Sequence, residues 1–320
     1  MRLATLADGT PDGSLVLASR DGTRCLKAPV SNLLTAIANW DVLEPQLAAL
    51  AERVEAGEGE ALDPARLLAP LPRTWQWLDG SAFGTHGHLM QIAFGLPPVE
   101  SERPLMYQGM SDRFYAGSAD IPFLDEADGI DFEGEFGVIL DAVPMGVTPE
   151  EAAGYIKLVV QINDWSLRAI APAEMKTGFG WVQAKPACSM APFAVSPDAL
   201  GAQWTGTGRV ALDLVVERSG QPFGHANGAA MDVGFPELVA HAARTRDLVA
   251  GTIIGSGTVS SPDYEQVGSS CISEVRAIEM IASGAASSPF LQFGEEVFME
   301  ARTSDGWAPF GTIRQKVVPA

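Results

Sequence analysis

The chain is poor in cysteine. Cys25, Cys188 and Cys271 are its three cysteines, and they stand far apart with no CxxC pair. That excludes a disulfide framework and makes a reducing cytoplasm the expected compartment. Positive charge is scarce too, with 21 Lys and Arg against 40 Asp and Glu and a net charge of −19. Phosphate contacts need clustered Lys and Arg, so nucleic acid is not an expected partner, and neither is an anionic membrane. No apolar run is long enough to span a bilayer, and Met1-Arg2-Leu3-Ala4-Thr5 enters a strand-like run without a signal sequence. Histidine is limited to His86, His88, His225 and His241, and there is no G-x-S-x-G elbow, so a serine hydrolase has no support. P-loop and GxGxxG patterns are missing, and with them the usual signs of nucleotide binding. There is no internal repeat and no low-complexity tract.

What is present fits a globular chain with a large core: 320 residues, 47% hydrophobic and 19% charged. The pattern predicts an α+β, strand-rich protein. A polar, proline-bearing stretch over 62–73 suggests a small N-terminal domain, 1–72, ahead of a larger one, 73–320. Turn signals at Asp8-Gly9, Asp12-Gly13 and Asp21-Gly22 divide residues 1–30 into short strands. Ser31 is a candidate cap for one helix, and Pro45 a candidate opening for a second that ends at Gly57. Strands are expected at 74–78, 105–109, 132–140, 155–162 and 209–216. Thr148-Pro149-Glu150-Glu151 reads as a helix start, 235–245 as an amphipathic helix, and 251–257 as a glycine-rich loop.

The central stretch is 131–140. Phe136, Val138 and Leu140 alternate, so Glu133 and Glu135 fall on one face of a strand. Two adjacent carboxylates repel, and burial raises their pKa values. A cation between them relieves both effects, and an all-oxygen set suits Mg²⁺, Mn²⁺ or Ca²⁺. A solvated strand face is the plain alternative. Asp79 sits in a turn, as a metal ligand or a turn cap. His86-Gly87-His88 offers a general base, or a zinc pair that has no third soft ligand nearby in the sequence. Asp164, in Asn163-Asp164-Trp165-Ser166, stands at the end of an apolar strand. Lys185 lies in a stretch with few charges and can neutralise a carboxylate or an oxyanion.

Taken in order, these motifs resemble the fumarylacetoacetate hydrolase family. The resemblance spans roughly 74–275 and rests on Glu133-Gly134-Glu135, Asn163-Asp164-Trp165-Ser166, Lys185 and Gly251-Thr252-Ile253-Ile254-Gly255. Asp79 and His86 keep the seven-residue spacing of its fumarylacetoacetase branch, and the length is similar to that of compact bacterial members. It implies a distorted β-roll catalytic domain behind a small N-terminal domain, and a homodimer. It implies a divalent cation, Mg²⁺ first, with Mn²⁺ or Ca²⁺ as alternatives, on Asp79, Glu133, Glu135 and Asp164. His86 would be the general base, Glu274 the residue that orients it, Lys185 a catalytic cation, and Tyr107 and Thr252 substrate-binding residues. The implied reaction is hydrolysis of a carbon–carbon bond in a β-diketo acid, fumarylacetoacetate or an acylpyruvate. Decarboxylation, keto–enol isomerisation and a non-catalytic binding role are the alternatives. Gly95 stands where the family has a substrate-binding arginine, and Ala171-Pro172-Ala173 where it has polar residues, so the substrate differs or is held differently.

Overall fold

In the computed structural model, which describes residues 1–95, 97, 101 and 103–320, Gly134–Leu140 forms the strand its alternation predicts. It pairs antiparallel with Ile156–Asn163 on one side and with Ile253–Gly255 on the other. Next to Ile253–Gly255 lies Trp77–Gly80, paired in parallel, and then Met106–Gly109, paired antiparallel. On the far side of Ile156–Asn163 come Phe193–Val195, Arg2–Leu6, Ser14–Ala18, Arg24–Lys27 and Glu60–Ala61. The first sixty residues therefore extend the same sheet that carries the acidic strand.

Side chains on a strand change face every residue, and two cores result. Trp77, Ile139, Leu158, Val160, Ile162 and Ile253 pack on one face against Leu3, Leu17 and the helix-borne Trp40 and Leu47. Leu78, Phe136, Val138, Leu140 and Ile254 pack on the other. There they meet Leu214, Val216, Val297 and Met299, from a second, five-stranded sheet built on Asp213–Arg218, Glu296–Arg302 and Ile313–Pro319. Gly134 lets that sheet approach, since a Cβ there would lie 2.8 Å from Leu214 Cδ2.

Several expectations change. Asn32, not Ser31, caps the first helix, accepting from Thr35 N, and Leu33–Ile37 ends before Trp40. The second helix runs Trp40–Glu55 with Pro45 inside it. The missing N–H falls opposite the exposed Asp41, whose carbonyl water can serve. The expected strand at 209–216 runs as Asp213–Arg218. The expected strand at 132–140 starts at Gly134, and Ile130–Asp131 pairs separately with Ser166–Leu167. His86 lies on a helix, Gly84–Phe94. The expected loop at 251–257 holds the strand Ile253–Gly255. Its glycines answer a packing need: a Cβ on Gly255 would sit 2.3 Å from Asp79 Oδ1 and 2.3 Å from the Trp77 ring. The helix start at Thr148 is as expected, a full capping box with Glu151. Among the described residues no helix is long and apolar enough to cross a membrane.

Gly255→Ala is expected to destabilise the fold by about 1–3 kcal/mol, because both the clashing carboxylate and the indole are buried. Urea unfolding measures this, and an unchanged midpoint would show that the Trp77 and Asp79 strand yields freely.

Candidate active site

The sheet order brings the acids together. Gly137 pairs with Gly255, Gly255 with Asp79, and Asp79 with Tyr107. Directly paired residues share a face, and Glu135 shares one with Gly137, so Glu135, Asp79 and Tyr107 point to the same side. The two glycines between the acids leave that side open. Asp164 joins from just past the end of Ile156–Asn163. Ligand oxygens of Asp79, Glu135 and Asp164 all lie within 4.8 Å of one another, and the three residues are buried.

Their hydrogen bonding is uneven. Asp79 Oδ1 accepts from Gly257 N at 3.1 Å. Asp164 Oδ2 accepts from Tyr107 Oη at 2.6 Å and from Lys185 Nζ at 2.7 Å, while its Oδ1 accepts from Cys188 Sγ at 3.0 Å. Neither oxygen of Glu135 has a partner among the described residues. Burial, and then the charge of Asp164, push Asp79 well above the usual carboxylate range. Burial, and then Asp79 and Asp164, do the same to Glu135.

Glu133 stands beside this trio with its charge already matched. Lys185 Nζ lies 2.6 Å from Oε2 and Arg168 Nη2 2.6 Å from Oε1. Burial alone would raise Glu133, but Lys185 and Arg168 overcome it and hold the carboxyl below its usual value. For Lys185 burial works against the charge, and Asp164 and Glu133 outweigh it, so the ammonium is held well above its usual value. Asn163 Oδ1 accepts from Glu133 N at 3.1 Å, Asp164 N donates to Glu133 O at 2.9 Å, and Trp165 anchors to Ser189 Oγ at 2.9 Å. The Asn-Asp-Trp-Ser run thereby clamps the acidic segment in register.

His86 faces the acids from the helix Gly84–Phe94. Its Nδ1 lies 2.9 Å from Glu274 Oε1, and its Nε2 lies 3.5 Å from Thr258 Oγ1 and 3.9 Å from Glu133 Oε1. Glu274, fully buried on the helix Ile272–Ser283, also accepts from Ser269 Oγ at 2.6 Å. Thr252 is displaced from the role expected of it. Its hydroxyl donates to Val249 O at 2.7 Å, at the end of Ile253–Gly255 away from Asp79. The second Gly-Thr pair, Gly257-Thr258, lines the site instead, because the chain emerges from the strand there. A cavity of about 670 Å³ opens over these groups, lined by Asp79, His86, Tyr107, Glu133, Arg168, Trp181, Lys185 and Thr258.

These residues fit a hard divalent cation. Five buried carboxylates, Asp79, Asp131, Glu133, Glu135 and Asp164, share two cationic side chains, Arg168 and Lys185. The partnerless Glu135 is where the missing positive charge belongs.

Two family models match the chain: fumarylacetoacetate (FAA) hydrolase C-terminal over residues 76–318, and fumarylacetoacetase N-terminal domain 2 over residues 1–73. The chain belongs to the fumarylacetoacetate hydrolase family. A curated relative, fumarylacetoacetase of Caenorhabditis elegans, is 26% identical over 275 residues, covering 77% of this chain and 63% of that protein. This member thus spans less than two thirds of that relative's length. Maleylpyruvate hydrolase of Sphingobium sp. SYK-6, solved with manganese(II) ion and pyruvate, matches with a TM-score of 0.68 at 15% identity, covering 100% of both chains. The 5-carboxymethyl-2-hydroxymuconate delta-isomerase of Mycobacterium smegmatis matches with a TM-score of 0.63 at 18% identity, covering 100% of this chain and 99% of that one. At such identities the likeness is one of fold, an α+β fold in each case. Proteins of the fumarylacetoacetate hydrolase family include hydrolases and isomerases.

In this family member the sequence reading missed Thr258, Arg168 and Asp131. Asp131 accepts from Arg168 Nε at 2.8 Å and from Ile272 N and Ser273 N at 2.8 and 3.0 Å, at the start of the Glu274 helix. The repeated Gly-Thr pair was a usable sign for Thr258. For Arg168 and Asp131 only proximity in the fold reveals the link.

Burial and mutual repulsion raise the carboxyls of Asp79 and Glu135, and a bound cation favours their ionised forms, so cation binding is expected to release protons. Affinity then rises with pH until both groups are ionised. Titration calorimetry with Mg²⁺ in two neutral buffers of different ionisation heat should show net proton release, and identical heats would contradict it. Glu135→Gln should weaken Mg²⁺ at least ~10-fold without lowering the melting temperature of the cation-free protein, since an amide of the same shape carries no charge to be buried.

Proposed function

We infer that this chain is a metal-dependent hydrolase that cleaves a carbon–carbon bond in a β-diketo acid, fumarylacetoacetate or a related acylpyruvate. The observation that carries this reading is the His86–Glu274 pair, whose free ring nitrogen is aimed at the acid cluster. A hydrolase of this kind needs a base beside the electrophile, and this pair supplies one.

A divalent cation on Asp79, Glu135 and Asp164, with Glu133 alongside, would supply Lewis-acid polarisation of the substrate's keto and enol oxygens. Mg²⁺ suits the all-oxygen set, and Mn²⁺ or Ca²⁺ come next. Glu274 accepts from Nδ1–H and so fixes the tautomer that leaves Nε2 basic. Nε2 takes a proton from water, and the water oxygen attacks the adjacent carbonyl. The bond to the neighbouring carbon then breaks, its electron pair remains on the departing enolate, and the proton on His86 is available to that carbon. Lys185 has three N–H donors and uses two, on Glu133 and Asp164. The third can meet negative oxygen on the substrate. Thr258 Oγ1, 3.5 Å from Nε2, would help to hold the attacking water. Tyr107 keeps Asp164 oriented while its ring walls the cavity together with Trp181.

Isomerisation is the second reading, because the same pair can take a proton and return it to another carbon without engaging water. Mass analysis of products from a panel of acylpyruvates and fumarylacetoacetate separates the two: hydrolysis yields two fragments, isomerisation none. His86→Ala should lower turnover ~10²–10⁴-fold while Mg²⁺ affinity stays that of the parent. Full activity in that variant would remove His86 as the base.

A further inference from the structure

The geometry points to a second metal site, softer than the first, formed by His86, Cys271 and Glu274, which takes Zn²⁺ and in doing so disables the base. One ligand atom from each residue lies within 4.8 Å of the other two; Cys271 and Glu274 are fully buried and His86 partly so. Tetrahedral zinc with nitrogen, sulfur and oxygen ligands at its usual bond lengths places them about 3.3–3.8 Å apart. Binding would bring the three atoms to that spacing.

The donor set matches zinc and mismatches magnesium. Imidazole nitrogen and thiolate sulfur select borderline and soft ions, whereas Asp79, Glu135 and Asp164 offer only hard oxygen. Cys271 is free for this role. Its thiol is not in a disulfide, and its one contact at the helix start is a long one, Glu274 N to Sγ at 3.4 Å. His88 stays exposed and takes no part, and the second nitrogen-or-sulfur donor beside His86 is a cysteine far along the chain. His86 lines the cavity, with its side chain 12% exposed, and Cys271 and Glu274 lie buried behind it. Water from the cavity can fill the fourth position. Binding transfers the thiol proton to solvent and involves no redox change.

Zinc held here occupies both members of the pair on which the proposed hydrolysis rests. Inhibition would therefore not be relieved by excess Mg²⁺, which binds the neighbouring carboxylates. The binding measurement itself does not depend on the reaction assignment.

The test is Zn²⁺ titration of the full chain with Mg²⁺ saturating, with Co²⁺ as a spectroscopic stand-in. The wild type is expected to take one Zn²⁺ per chain and to show a thiolate-to-cobalt charge-transfer band. Cys271→Ser keeps a helix-capping oxygen, and is expected to keep Mg²⁺ binding while losing the band and at least ~10-fold in Zn²⁺ affinity. Cys25→Ser and Cys188→Ser are expected to keep the band. Equal Zn²⁺ affinity in wild type and Cys271→Ser overturns the site, as does a band lost only in Cys188→Ser. If Cys271→Ser does not fold, protection of Cys271 from alkylation by Zn²⁺ in the wild type decides, and unprotected labelling counts against the site.

Discussion

Buried negative charge without matching positive charge is the constraint on which this structure turns. Glu135 sits fully buried with no donor on either oxygen among the described residues, next to two further acids. Left alone, such a group takes up a proton or forces the sheet apart. The surrounding residues manage the excess in different ways. Lys185 is shared between Glu133 and Asp164, and Arg168 between Glu133 and Asp131. What remains is a deficit of positive charge localised at one point, which is a specification for a cation.

The two halves of the candidate machinery come from different kinds of element. The acids are held by strands and their ends, where register allows little movement. His86 and Glu274 come from two helices that pack against each other. Asp131 ties the halves together, since it takes Arg168 from the acid side and caps the first turn of the Glu274 helix. An anion at a helix start is favoured by the unpaired amides there, so this contact holds the base at a set distance from the acids.

Much of this was legible from residue order alone. Alternation located the acidic strand, and the spacing of Asp79, His86, Glu133, Glu135, Asp164 and Lys185 picked out side chains that do converge. Glu274 was named and does meet His86. The failures have physical causes. Thr252 and Thr258 each follow a glycine, and only the strand between them shows which leaves the sheet on the cavity side. Ile253–Gly255 read as a loop because its glycines signal flexibility by composition, while in the fold they answer crowding by Trp77 and Asp79. The helix at His86 carries glycines at 84 and 87, which masks its helical signal. Arg168 and Asp131 are joined by contacts distant in sequence, to which periodicity is blind.

The strand Ile253–Gly255 lies between Gly134–Leu140 and Trp77–Gly80, both made more than a hundred residues earlier. The sheet cannot zip in chain order. It must keep a gap until its last central strand is synthesised, and closing over so long a span is slow. During that interval two apolar edges stand unpaired, which is a condition that invites association with other chains. The same insertion brings Asp79 and Glu135 to their final separation, so the cation site and the sheet are completed in one event. An ion that binds only the finished cluster would hold the closed sheet together once formed, without hastening its closure.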